Sequence, residues 1–126
     1  QLAALRQAAA LTEGGKPDKA IAAYDRLAGS ADADPIIAEL ASVLGAMLLL
    51  DQGLPQEAIT QLEQISDGRG PWKHLAKEIK ALSIIQTGDM EAGRNLLEYL
   101  ANDPAVPAGI RLRSAKILAT NHGTLR

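Results

Sequence analysis

Only a few side chains in this sequence are of the kind, and at the spacing, that chemistry needs. His74 precedes Glu78 by four residues, which sets both on one helix face, as a surface pair or as two corners of a metal site. Zinc takes three or four protein ligands. The other histidine, His122, is distant in sequence, and the chain contains no cysteine. Disulfides, thiol catalysis and zinc–thiolate centres are therefore excluded. Serine, histidine and aspartate occur in no nucleophile-elbow context, and the glycine-rich run at residues 68–70 is not a phosphate loop. The reading is of no catalytic residue, no metal and no cofactor.

Two features of the same region suit binding better than reaction. Lys73, Lys77 and Lys80 follow i, i+4, i+7 and form a basic face on one helix. Such a stripe is a solvated face, or a contact for an acidic partner or anionic headgroups. Beside it stands Trp72, the only tryptophan in a chain without phenylalanine. It lies three residues before Leu75 and seven before Ile79, so it continues an apolar helix face. Pro71 is expected to start that helix, with Gly68 and Gly70 turning the chain into it. The indole reads as mainly structural, with an N–H that requires a partner.

The elements that position these residues are all helical. In 126 residues, 47% are hydrophobic but only 2% aromatic, so leucine, isoleucine and alanine fill the core, and these favour helix. The length suits one domain. A net charge of −2 argues against nucleic acid as a partner. The charge is uneven: −1 over residues 1–34, −5 over 35–68, where there is no Lys or Arg, and +4 over 69–126. Opposite-signed faces or ends follow from that gradient, or simply solubility. Residues 36–50 are very apolar, yet they include Glu39 and are too few to cross a bilayer. The chain opens at Gln1 inside a helical pattern, which leads us to expect further sequence upstream.

One pattern recurs three times. A glycine follows a helix, a small residue comes five positions later, and a large apolar residue four after that. The sets are Gly15, Ala20, Tyr24; Gly53, Ala58, Leu62; and Gly88, Gly93, Leu97. Each glycine ends a helix in the left-handed conformation; the small residue admits a neighbouring helix and the large one fills the space beside it. With Pro17, Pro35, Pro55, Pro71 and Pro107 marking starts, the sequence predicts helices over 1–13, 17–29, 35–51, 55–66, 71–87, 89–101 and 107–120. They make units of about 1–34, 35–70 and 71–106, with a capping helix over 107–120. In that helix Ile110, Leu112, Ala115, Leu118 and Ala119 are expected inward, and Arg111, Arg113 and Lys116 outward. The tail at 121–123 reads as its stop.

These offsets resemble the tetratricopeptide repeat, with Leu62 in place of an aromatic, Gly93 in place of alanine, and Ser42 and Lys77 where first-helix aromatics usually stand. Asp34-Pro35-Ile36-Ile37-Ala38-Glu39-Leu40-Ala41, Gly70-Pro71-Trp72-Lys73 with Ala76 and Glu78, Gly88-Asp89, and Pro107 with Arg111 look like one subgroup. It is the tetratricopeptide-like periplasmic domain of bacterial inner-membrane proteins typified by the ancillary subunit of the SecYEG translocon. The resemblance implies an all-α, right-handed superhelical set of three hairpins plus a capping helix. It implies an N-terminal transmembrane anchor upstream and a periplasmic location. Translocon subunits, periplasmic chaperones or exported client chains are the implied partners. In this repeat class the first helix of each pair lines a concave surface. Here that surface would hold Leu40, Val43, Met47, Leu50, Leu75, Glu78, Leu82 and Ile85, with Trp72 at its rim. So apolar a groove marks a partner site, or it is covered by the upstream segment, the final helix or a second copy. The functional expectation is a non-catalytic protein-interaction domain of a membrane-anchored envelope protein; the alternative is a self-association (dimerisation) module or a generic adaptor scaffold.

Overall fold

Proline and glycine punctuate the chain as their backbone chemistry requires. The computed structural model describes residues 1–120 and contains α1 (Leu2–Glu13), α2 (Pro17–Ala28), α3 (Pro35–Asp51), α4 (Pro55–Ser66), α5 (Lys73–Gln86), α6 (Met90–Asn102) and α7 (Ala108–Thr120). There is no strand among the described residues. The expected stop at 121–123 lies outside them. Pro17, Pro35 and Pro55 occupy first-turn positions, where the missing N–H leaves no bond unmade. Gly15, Gly53 and Gly88 have φ of 73°, 78° and 100°. At each, the next residue's N–H donates back five positions: Lys16 to Leu11, Leu54 to Leu49 and Asp89 to Ile84, over 2.9, 2.9 and 3.3 Å. This is the Schellman closure, and it satisfies carbonyls that the helix end leaves free.

The expected start of α5 is corrected. Pro71 and Trp72 form a turn, with the Lys73 N–H donating to the Gly70 carbonyl at 3.3 Å, and the helix begins at Lys73. The indole of Trp72 is engaged elsewhere, as described below. The last helix likewise starts one residue after Pro107, whose carbonyl accepts from the Arg111 N–H.

Each helix packs on its sequence neighbours, and α3 also touches α5, as α5 touches α7. The repeated small positions lie at the helix crossings. Ala20 and Ala58 are fully buried, and so are Leu62 and Leu97, with Tyr24 nearly so. At Gly93 the approach is closest: a Cβ there would stand 2.3 Å from Ile85 Cγ1 and 3.1 Å from the Ala81 carbonyl oxygen. Central α3 serves two cores. Ala41 and Leu48 join Ala8, Ala20, Tyr24 and Leu27 on one side, while Val43, Ala46 and Leu49 join Ala58, Leu62, Ala76 and Ile79 on the other. A helix buried on two sides needs apolar residues nearly all round, which accounts for residues 36–50.

The capping helix is rotated from its expected setting. Ile110 faces inward with Leu100 and Val106, and Leu118 is half-buried, but Leu112 is 71% exposed and Ala115 and Ala119 are also outside. Ser114 takes the buried place instead, Arg113 turns toward α5, and Arg111 is half-buried. Ile110 and Ser114 are four apart and share a face; two residues on, Leu112 points away. The Ser114 hydroxyl and Arg111 Nε are buried without a hydrogen-bond partner.

Two stability changes follow. Gly93→Val should destabilise the domain by about 2–3 kcal/mol, because α6 cannot retreat from the Ala81 backbone without opening the core. Ser114→Ala should be neutral or up to about 1 kcal/mol stabilising, since it removes a buried hydroxyl that has no partner. Urea unfolding of both variants reads each outcome directly.

Candidate protein-docking surface

The candidate surface is set by how α3 and α5 rotate between their neighbours. Leu40 and Leu50 are half-buried, and Met47 is 37% exposed. Val43 is fully buried within the core and is therefore no part of an open groove. On α5, Leu82 is half-buried, while Leu75 packs on the cores around Leu62 and Leu100. Ile85 leans on α6 at Gly93. The apolar line that reaches the surface on α3 is Ile36, Leu40, Leu44 and Met47: Ile36 and Met47 are exposed, Leu40 and Leu44 are half-buried, and Leu44 also packs on the core around Tyr24. Sequence reasoning missed Ile36 and Leu44. Their i, i+4 relation to Leu40 was the available signal, but a helix apolar on every side offers several such lines.

Beside this line the structure forms a cavity of about 190 Å³ between α1, α2 and α3. It is lined by Ala9, Thr12, Glu13, Tyr24, Leu44, Met47 and Leu48. Helices α1 and α3 run in the same direction: their starts are joined where the Asp34 N–H donates to Gln1 Oε1 at 2.8 Å, and their ends meet at the cavity. Burial raises the pKa of the Tyr24 phenol, and a hydrogen bond with Thr12 opposes that rise. The single proton of the Thr12 hydroxyl goes to the Ala8 carbonyl at 3.1 Å.

Trp72 is a brace across the starts of two helices. Its indole N–H donates to the Ile36 carbonyl at 2.8 Å, and its ring packs on the core around Leu62. Gly70 beside it admits the Glu39 carboxylate to 3.0 Å from where a Cβ would be. The indole thus has the partner its N–H requires, and it closes the space between α3 and α5 at that end.

Glu78 is 5% exposed and does not pair with His74. It accepts two hydrogen bonds from Arg113 of α7, Nε to Oε2 at 2.8 Å and Nη2 to Oε1 at 2.9 Å. This fork geometry suits guanidinium and carboxylate. Glu78 therefore fastens α7 to α5 instead of lining a groove, and the same bonds raise the Arg113 pKa.

The basic face is less bare than its sequence. Lys73, Lys77 and Lys80 are all half-buried, and the Lys77 ammonium sits 4.8 Å from the centroid of the Tyr99 ring, within cation–π range. Burial holds the His74 pKa below its usual value, and the neighbouring Lys73 and Lys77 add to this while Asp103 opposes it. Asp103 is held low chiefly by accepting from the Ala105 N–H, with smaller help from Tyr99, His74 and Lys73. Among the described residues no three metal-capable side chains converge.

No protein-family model, curated protein or solved structure matches the chain. Function must therefore be argued from the surface itself.

The ion pair makes its own test. Arg113→Ala leaves a buried carboxylate without its partner and should cost about 1–3 kcal/mol, below the range for fully buried pairs because the Arg113 side chain is 56% exposed. The double variant Glu78→Leu with Arg113→Leu should recover most of that loss. Thermal and urea unfolding of the two variants would show the difference.

Proposed function

We propose that this chain is a tetratricopeptide-like domain, a right-handed superhelical set of three hairpins closed by α7, acting as a non-catalytic protein-interaction domain. In this reading it belongs to a membrane-anchored envelope protein and handles exported chains near the translocon and periplasmic chaperones. The observation that carries it is the recurrence of one hairpin design: a left-handed glycine at 15, 53 and 88, then a small residue at the helix crossing. Units built this way bury their faces only against one another and leave a continuous side surface for a partner. Exposed Met47 and half-buried Leu40 and Leu44 on α3, together with half-buried Leu82 on α5, suit an apolar segment better than a charged peptide.

The envelope setting rests on the resemblance of residues 34–41 and 70–78 to the translocon-associated subgroup. Support for treating these stretches as one unit is that Trp72 and Ile36, one from each, are bonded together. No helix among the described residues is long and apolar enough to cross a membrane; the anchor of this reading lies upstream of Gln1. Fold analogy alone does not name a partner, so binding must be measured.

Reduced, carboxymethylated lactalbumin, a soluble unfolded chain, is a suitable probe. Labelled with fluorescein, it should bind the domain, and Met47→Glu and Leu82→Glu should each weaken binding roughly fivefold or more, the scale of a real interface residue. Circular dichroism should show both variants folded. Absent binding by the wild type, or equal binding by both variants, would sink the proposal.

A further inference from the structure

Two unpartnered apolar faces lie at opposite ends of the helix order, and their charges are opposite. On α7, Leu112 is the most exposed large apolar side chain among the described residues, at 71%. Ala108, Ala115 and Ala119 are also exposed and lie at i−4, i+3 and i+7 from it, so they share its face and let another helix come close. Helix α7 carries Arg111, Arg113 and Lys116 and no acidic residue. At the other end is the cavity between α1 and α3. Its volume of about 190 Å³ is below the roughly 300 Å³ at which small-molecule sites begin and is of the order of one large side chain. The Thr12 hydroxyl in its lining already donates to the Ala8 carbonyl, so an apolar occupant does not strand that group. Met47 at the rim is an adaptable wall.

The rim is acidic. Glu13 lines the cavity and Asp51 follows Met47 by one turn; both are exposed. Neither forms an ion pair among the described residues. Residues 35–68, which include α3 and α4, hold five acidic groups and no Lys or Arg. The cation on this face of α1, Arg6, is seven residues before Glu13, about 10 Å along the helix.

We infer that the occupant of this cavity is a second copy of the chain, which seats Leu112 of its α7 between α1 and α3 while its Lys116, one turn from Leu112, faces Glu13 and Asp51. Within one molecule the contact does not form, because α7 packs on α5 and α6 among the described residues. An α7-to-α7 contact is disfavoured, since it would set two wholly cationic helices together. The resulting interface is heterologous, head to tail, so it propagates into short open chains and does not stop at a symmetric dimer. This goes beyond the interaction-domain reading and shares Met47 with it, so a second copy and a client compete there. Leu112 belongs to self-association alone, which keeps the two readings separable.

Sedimentation velocity tests the inference on the wild-type protein and two variants whose changed residues are exposed and so leave the fold intact. The weight-average mass should rise with concentration from the 13.3 kDa monomer, and raising salt should weaken association several-fold as the charge pairs are screened. Leu112→Asp removes the knob, and Met47→Glu spoils the cavity. Each should remain monomeric alone, and an equimolar mixture should form a 1:1 complex, because each supplies the half the other lacks. A wild type that stays monomeric into the millimolar range, self-association that survives Leu112→Asp, or a mixture that stays monomeric would overturn it. Loss of self-association with lactalbumin binding retained by Leu112→Asp supports both readings. A wild type that binds lactalbumin but never self-associates overturns only this one.

Discussion

With no phenylalanine, one tryptophan and two tyrosines, the core lacks the broad plates that normally bridge gaps between helices. Its helices must instead come close, and closeness requires that a side chain be absent where they cross. Gly93 is the sharpest case: the Ile85 side chain occupies the volume its Cβ would need. Ala20 of α2 and Ala58 of α4 do the same work with one methyl group each, and both are fully buried. The left-handed glycines at 15, 53 and 88 belong to the same constraint. By ending each first helix abruptly, they let the second return with its small residue at the crossing. Leucine then fills what remains, as at Leu62 and Leu97.

Close packing at the crossings leaves rotation about each helix axis to be fixed by other means, and two polar contacts do this. The Trp72 indole on the Ile36 carbonyl sets the start of α5 against the start of α3. The fork between Arg113 and Glu78 sets α7 against α5. Both link alternate helices, which otherwise touch little. The second contact has a consequence for the surface: once Arg113 points at α5 and Ile110 inward, Leu112 points to solvent. The buried, unpaired Ser114 hydroxyl is a by-product of that same rotation.

Much of this was legible in the sequence, for local reasons. Helix ends depend on glycine and proline, whose preferences act over one or two residues, and the predicted boundaries match within about two residues. Rotations were less legible. Helix α3 is apolar on nearly every side, so no single face stood out, and Val43 was expected in a groove but is fully buried, while Met47 reaches the surface. The capping helix offered two apolar sets, one through Ile110 and one through Leu112. What chooses between them is a bond to Glu78, 35 residues earlier. Glu78 looked like a helix-surface partner for His74, because a pattern read along one helix cannot show a carboxylate turned toward another. Trp72 was legible as structural, but its carbonyl partner on α3 was not.

The uneven charge gains a physical meaning once the helices are placed. In the proposed series of hairpins each unit covers the next, which leaves two ends that differ in sequence and shape. Here the carboxylates beside the cavity are Glu13 at the end of α1 and Asp51 at the end of α3, while α7 contributes no anion. Had the charges been mixed along the chain, either end would meet its own kind or the other with equal ease. Segregation penalises like ends and favours unlike ones, and it does so over distances of about a Debye length, before any side chain touches. The apolar features then act at short range, since Leu112 and the cavity beside Met47 can discriminate only after contact. Long-range sign and short-range shape therefore select the same head-to-tail arrangement, and neither is required by the packing of the seven helices themselves.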